Sequence, residues 1–203
     1  QTPGENAQRY FAKYNKQKRT FEALTELIRE TADDIEYLES IGNALDIALS
    51  EADLAQIKEE LMLSGYIRRK HTKKKVKLTS KPMHYISSDG YDMYVGKNNL
   101  QNEELTFSLA NGNDWWFHAK GAPGSHVIVK SGGDELPDQT FEEAGRLAAY
   151  YSKNRGADKV EIDYIQKKHV KKPAGAKPGF VVYYTNYSLM ASPDISDLKE
   201  VTE

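Results

Sequence analysis

The 203-residue sequence has no cysteine and only 7 prolines. It also lacks the roughly 18 consecutive apolar residues that a membrane-spanning helix needs. The missing thiols exclude disulfides, thiolate metal sites and cysteine nucleophiles, and they fit a reducing compartment such as the cytoplasm. Gln1–Gln8 has neither a basic start nor an apolar stretch, so no secretory signal is expected there. An initiator Met is also missing, and the chain is read as a fragment of a longer protein. The five histidines (His71, His84, His118, His126 and His169) show no H-x-x-x-H or H-E-x-x-H spacing, so no metal site is expected. The glycine-rich segments match neither the P-loop nor the dinucleotide fingerprint, and no cofactor is expected.

Hydrophobic residues make up 39% and charged residues 29%, enough apolar material for a core beneath a heavily charged surface. The near-neutral total of −2 hides an asymmetry. Residues 1–65 carry a net −6, residues 66–81 a net +8 with no acid, and residues 82–203 a net −4. A basic joint therefore separates two acidic blocks.

The first block reads as a long helix. Thr2-Pro3-Gly4-Glu5 has the form of a capping box with Pro at the first helical position. No proline then occurs up to about Leu49, and Gly42 is the single glycine on the way. Leu24, Ile28, Ile35, Leu38, Leu45 and Leu49 alternate steps of four and three, with Thr31 and Gly42 in the two remaining seam positions, which is the seam of a coiled coil. Ser50 with Asp53 starts a second, shorter helix ending near Gly65. An exposed seam of this kind is expected to make the fragment self-associate.

The second block reads as a mostly antiparallel sheet with two helices packed on one face. Strand-like runs fall at 83–87, 91–95, 115–119, 126–130, 160–165 and 180–187, separated by Gly/Asn/Asp/Pro clusters. Helical periodicity covers 99–110 and 138–154, the latter with Asp138 as its cap. The fold class is thus α+β. A coiled-coil arm is expected over 1–65, a basic linker over 66–81, a compact domain over 82–195 and a tail over 196–203.

Binding chemistry is concentrated in two basic stretches. Arg68, Arg69, Lys70, Lys73, Lys74, Lys75 and Lys77 suit a polyanion, because each neutralised phosphate releases condensed counterions. A solvated spacer is the bland alternative. Lys167, Lys168, Lys171 and Lys172 run into a Pro/Gly-rich basic segment that reads as a mobile loop, and two such patches can flank a nucleic-acid groove. In Asp114-Trp115-Trp116-Phe117-His118, strand alternation puts Asp114, Trp116 and His118 on one face and Trp115 and Phe117 on an apolar one. The first set is either a recognition face or a turn cap with a structural histidine. Ser125 and His126 are adjacent in a strand and point apart, so they do not form a nucleophile–base pair. The chain reads as a recognition module and not as an enzyme.

Three segments carry a family resemblance. Asn6–Lys16 (NAQRYFAKYNK), following Thr2-Pro3, resembles the middle coiled-coil segment of the NFACT family. Tyr94–Asn102 (YVGKNNLQN) resembles the opening of that family's C-terminal NFACT-R domain, and Asp114–Val127 (DWWFHAKGAPGSHV) its central signature. They occur in family order, cover roughly 2–64 and 82–190, and match bacterial members best. The resemblance implies a ribosome-associated quality-control factor that binds obstructed large ribosomal subunits and tRNA and directs C-terminal tailing of stalled chains. It implies RNA contact at Lys97, Asn98, Asn99, Asp114, Trp116, His118, Lys120, Gly124, Ser125 and His126. Bacterial members also carry a second implied role, as adhesins for host fibronectin or fibrinogen.

Overall fold

The computed structural model describes residues 2–68 and 80–201. Helix α1 spans Pro3–Ile47, 45 residues and so about 68 Å at 1.5 Å per residue. Its start is the expected capping box: the Thr2 N–H donates to Glu5 Oε2 at 2.8 Å and the Glu5 N–H to Thr2 Oγ1 at 3.3 Å. Helix α2 (Glu51–Leu63) opens on a second reciprocal box between Ser50 and Asp53. By packing, the chain divides inside α1, into Gln1–Leu38 and Glu39–Glu203. Composition puts a boundary at 65, whereas packing joins the end of α1 and all of α2 to the sheet unit.

Within Gln1–Leu38 the helix displays most of its apolar residues to solvent, Tyr37 being buried. Phe21, Leu24, Leu27, Ile28 and Ile35 are all exposed, Ile28 by 67%. In the second unit Leu45 of α1 and Leu49 just after it are exposed, while Ile41, Ala44 and Ile47 are buried.

Six strands form one sheet in the order β1-β2-β4-β3-β5-β6, every neighbouring pair antiparallel. They are β1 (Met83–Ile86), β2 (Asp92–Val95), β3 (Trp115–Ala119), β4 (Val127–Val129), β5 (Val160–Gln166) and β6 (Tyr187–Ala191). On one face Met93, Val95, Phe117, Val127, Val129 and Ile162 pack against Ala144, Leu147 and Ala148 of α4 (Asp138–Tyr150). On the other, Trp116, Ile128 and Ile165 pack under Leu105 and Ala110, which close α3 (Asn99–Glu104) and the π-helical turn Leu105–Leu109. The two helices expected on one face thus lie on opposite faces. The cause is the alternation of Trp115 and Phe117 with Trp116, which gives the central strand an apolar side chain in both directions.

Two local expectations are corrected. Pro137, not Asp138, is the N-cap residue of α4, and Asp138 lies in its first turn. The run 180–187 is not a strand along its length: before Tyr187 only Val182 pairs, with Lys171, and Thr185 has a positive φ of 59°. Val181 and Tyr183 instead cover the second apolar cluster, and the last strand begins at Tyr187. Within the expected tail, Arg146 pairs with Asp197 and the Val201 N–H donates to the His84 carbonyl at 2.8 Å.

The exposed stripe of α1 sets a measurable expectation. Sedimentation equilibrium should show concentration-dependent self-association of the 203-residue chain. The substitutions Ile28→Lys and Ile35→Lys together should return it to monomer, since each places a charge on the shared apolar surface.

Candidate nucleic-acid interface

The Tyr94–Asn102 motif folds into a tight corner. Gly96 has no alternative, because a Cβ there would lie 2.2 Å from Asn102 Oδ1 and 2.9 Å from the Asn102 backbone nitrogen. Asn98 caps α3, its side chain accepting from the Gln101 N–H at 3.0 Å, and Gln101 Oε1 accepts from the Lys97 N–H at 2.9 Å. The remaining groups of these side chains turn to α2 and the end of α1. Asn98 Nδ2 and Gln101 Nε2 both donate to Gln56 Oε1 at 2.8 Å, and Asn99 Nδ2 donates to Ser40 Oγ at 2.7 Å and Glu60 Oε1 at 2.8 Å. Lys97 Nζ is 3.3 Å from Asp53 Oδ1, which also accepts from the Ser80 hydroxyl. Burial pushes the Asp53 carboxyl up, but hydrogen bonds from Ser80, the Leu49 N–H and Ser50, together with the Lys97 charge, outweigh it and hold Asp53 below its ordinary value.

The Asp114–Val127 signature forms a second internal network. Asp114 is 1% exposed; it accepts from the Asn111 N–H at 2.7 Å, the Ser131 N–H at 3.1 Å and Lys130 Nζ at 2.5 Å. Trp116 is fully buried, stacked on His118 (centroids 5.6 Å apart) and edge-on to His126 (5.1 Å). The His126 N–H donates to Asn102 Oδ1 at 2.9 Å, and its ring Nδ1 is 2.8 Å from Thr106 Oγ1. Burial brings the half-buried His118 down to about 4, against the opposing pull of a hydrogen bond to Gly124 and the charge of Asp163. Burial and the neighbouring His118 likewise push His126 well down. Both rings are therefore neutral at pH 7. Ser125 is buried with its hydroxyl unpartnered, and Gly124 is half-buried beside Ser152.

The expected site residues thus separate into an interior and a surface set. Lys97, Asn98, Asn99, Asp114, Trp116, Ser125 and His126 spend their side chains inside the protein. Lys120 is exposed and paired with Glu161 at 2.6 Å. Arg69, Lys70, Lys73, Lys74, Lys75 and Lys77 lie outside the described residues; Arg68 is described and exposed.

The second basic stretch lies over α3 and its π-helical turn. Lys167 Nζ sits 5.7 Å from the Phe107 ring centroid, a cation–π contact. Lys172 pairs with Glu103 at 2.7 Å, and Lys168 and Lys171 are exposed with no carboxylate partner among the described residues. The loop that follows is not loose: Lys171 and Val182 exchange both backbone hydrogen bonds, at 2.9 and 2.8 Å. At its far side Lys177 Nζ contacts Tyr66, 2.8 Å from the hydroxyl and 5.2 Å from the ring centroid. Tyr66 stands two residues before Arg68, so the chain entering the first basic stretch meets the second. Phe180, 49% exposed, lies in this loop, its N–H donating to the Lys177 carbonyl at 3.2 Å. Phe180 falls outside the candidates read from the sequence because 180–187 reads as an ordinary strand; aromatic residues interleaved with lysines are the available signal.

Fold and surface together describe an α+β domain with a basic, aromatic-bearing face. The model of the NFACT N-terminal and middle domains matches residues 1–80, and that of the NFACT protein RNA binding domain matches residues 81–185. The chain belongs to the NFACT family. It is 45% identical over 98% of its length to Rqc2 homolog RqcH of Streptococcus suis and 43% identical over 95% to the Bacillus subtilis protein of the same name. It spans only 36% and 34% of those relatives' lengths. Among solved structures, the C-terminal part of the fibronectin/fibrinogen-binding protein from Streptococcus suis superposes with a TM-score of 0.87 at 45% identity, over 97% of this chain and 78% of that one.

Two outcomes test the interior networks. Gln101→Leu strands the donors and acceptors it serves on Lys97, Gln56 and Ser80, and should cost about 2–4 kcal/mol in urea unfolding. The histidines give a pH dependence of known sign. His118 binds its proton near 4 in the folded protein and near 6.5 in the unfolded chain, so its contribution is complete above pH 6.5 and is lost as pH falls toward 4. Unfolding free energy should drop by about 2 kcal/mol between pH 7.5 and 5 on account of His118. His118→Asn should flatten that drop.

Proposed function

We propose that this chain is the RNA-contacting part of a ribosome-associated quality-control factor. In this reading it binds obstructed large ribosomal subunits and tRNA in the cytoplasm and supports C-terminal tailing of the stalled chain. It supplies recognition, and peptide-bond formation is left to the ribosome. One observation carries the reading: the basic segment of Lys167, Lys168, Lys171, Lys172 and Lys177 sets Lys167 over Phe107 and Lys177 over Tyr66, with Phe180 exposed beside Lys177, in a domain whose family is named for binding RNA. Cations at this density track a phosphate backbone, and exposed rings offer stacking surfaces for splayed bases. The interior set positions this surface. Lys97, Asn98 and Asn99 fix α3 to α2, and Asp114, Trp116 and His126 fix the strand beneath it.

The adhesin reading has its own support, since the superposing Streptococcus suis protein is named for binding fibronectin and fibrinogen. Salt separates the two readings, because phosphate contacts release counterions and apolar contacts do not.

The test is co-sedimentation of the chain with purified large ribosomal subunits across a salt series, with fibronectin as competitor. Binding should fall steeply with salt. Replacing Lys167, Lys168, Lys171 and Lys172 by Ala should weaken binding at least about tenfold and lower the log–log slope by about three, while thermal unfolding stays within a few degrees. Replacing Arg68, Arg69, Lys73, Lys74 and Lys75 by Ala asks the same of the first stretch. Unchanged binding in either variant would remove that stretch from the interface, and salt-insensitive binding displaced by fibronectin would favour the adhesin reading.

A further inference from the structure

Strand β6 is the outermost strand, and no described segment pairs with its outer side. The register shows which backbone groups are left there. The Lys120 N–H donates to the Glu161 carbonyl and the Lys167 N–H to the Asp114 carbonyl, so the odd-numbered residues of β5 bond to β3. Val160, Ile162 and Tyr164 therefore bond to their β6 partners Ala191, Leu189 and Tyr187, and the N–H and C=O groups of Ser188 and Met190 face outward. Most exposed edges are blunted by Lys, Pro or a bulge. This one reads Tyr-Ser-Leu-Met-Ala, with Tyr187 61% and Met190 58% exposed.

Beside that edge runs a groove of about 480 Å³, between the first turns of α4 and β6. Its floor is apolar, formed by Phe141, Tyr164 and Leu189, and its α4 wall carries the exposed carboxylates of Asp138 and Glu142, with Lys159 the cation at its end. From Ser131 to Gly145 the sequence has five acids and no lysine or arginine. An open strand edge next to a helix is the arrangement that takes up an extended peptide as an additional strand.

We propose that this groove binds an extended polypeptide segment alternating basic with apolar residues, added to the sheet along β6. Its backbone pairs with the outward groups of Ser188 and Met190. Every second side chain enters the groove, where a lysine or arginine lays its methylenes on Phe141 and Tyr187 and sets its charge against Asp138 and Glu142. A second copy of this chain fits less well, because β6 has no cation to offer those carboxylates. The acidic wall also repels RNA, so this surface is separate from the basic one over α3.

The probes are two fluorescein-labelled peptides of seven residues, one alternating lysine with valine and one alternating glutamate with valine. Each is titrated into the full chain by fluorescence anisotropy, with hydrogen exchange read at the β6 amides. The lysine peptide should bind, the glutamate peptide should not, and binding should slow exchange at Ser188 and Met190. Asp138→Lys with Glu142→Lys should weaken binding about tenfold or more. Met190→Pro removes an outward N–H that makes no internal bond, so it should abolish binding and leave the fold intact. Equal binding of both peptides, no binding at millimolar concentration, or binding that survives both variants would overturn the proposal. So would concentration-dependent protection of Ser188 and Met190 without peptide, which would make the occupant a second copy.

Discussion

The architecture depends on the polar contact among Lys97, Asn98, Asn99 and Gln101 on one side and Asp53, Gln56, Glu60 and Ser40 on the other. Apolar packing alone would let α2 slide against α3, since dispersion is non-directional. Amide and carboxylate groups do not tolerate that, because each loses a partner when the register shifts, and a stranded buried polar group costs about 1–3 kcal/mol. The network therefore fixes an orientation more than it adds stability. It holds α3 as the floor under Lys167 and Lys172. The surface proposed to meet RNA is thus placed by residues that do not touch it.

Much of the fold was legible beforehand. Both capping boxes, the length of the first helix and five of six strands follow from local rules: Ser50 with Asp53, the absence of proline, and the alternation from Trp115 to Ala119. The misreadings share a cause. Phe180–Tyr187 has β-branched and aromatic residues and reads as a strand, but Val181 and Tyr183 cover the cluster around Trp116, and before Tyr187 only Val182 pairs. Propensity reports that a residue suits a half-buried surface, and a covering segment offers such a surface as well as a strand does. The placement of α3 and α4 on opposite faces could have been argued from Trp116 lying between Trp115 and Phe117.

The candidate site was legible in part. Charge alone located Lys167–Lys172 and the stretch from Arg68, but it could not show that Lys97 and Lys130 face Asp53 and Asp114, because those partners are distant in sequence. Motif resemblance marked Asn98, Asp114 and His126 without showing whether they touch a ligand or hold the scaffold. Burial shows that their side chains are inside. For Asp114 the capping alternative matches the geometry, since its carboxylate accepts from the Asn111 and Ser131 N–H groups.

The segment after β6 has a mechanical effect of its own. From Ser192 it crosses α4, gripped by Arg146 at Asp194 and Asp197, and arrives alongside β1 at Glu200 and Val201. It therefore ties the two rims of the sheet to each other across the back of the helix. Fraying of β6 would slacken the girdle at β1, and loss of β1 would loosen α4. Such a belt makes the rims, usually the softest parts of a sheet, open together or not at all.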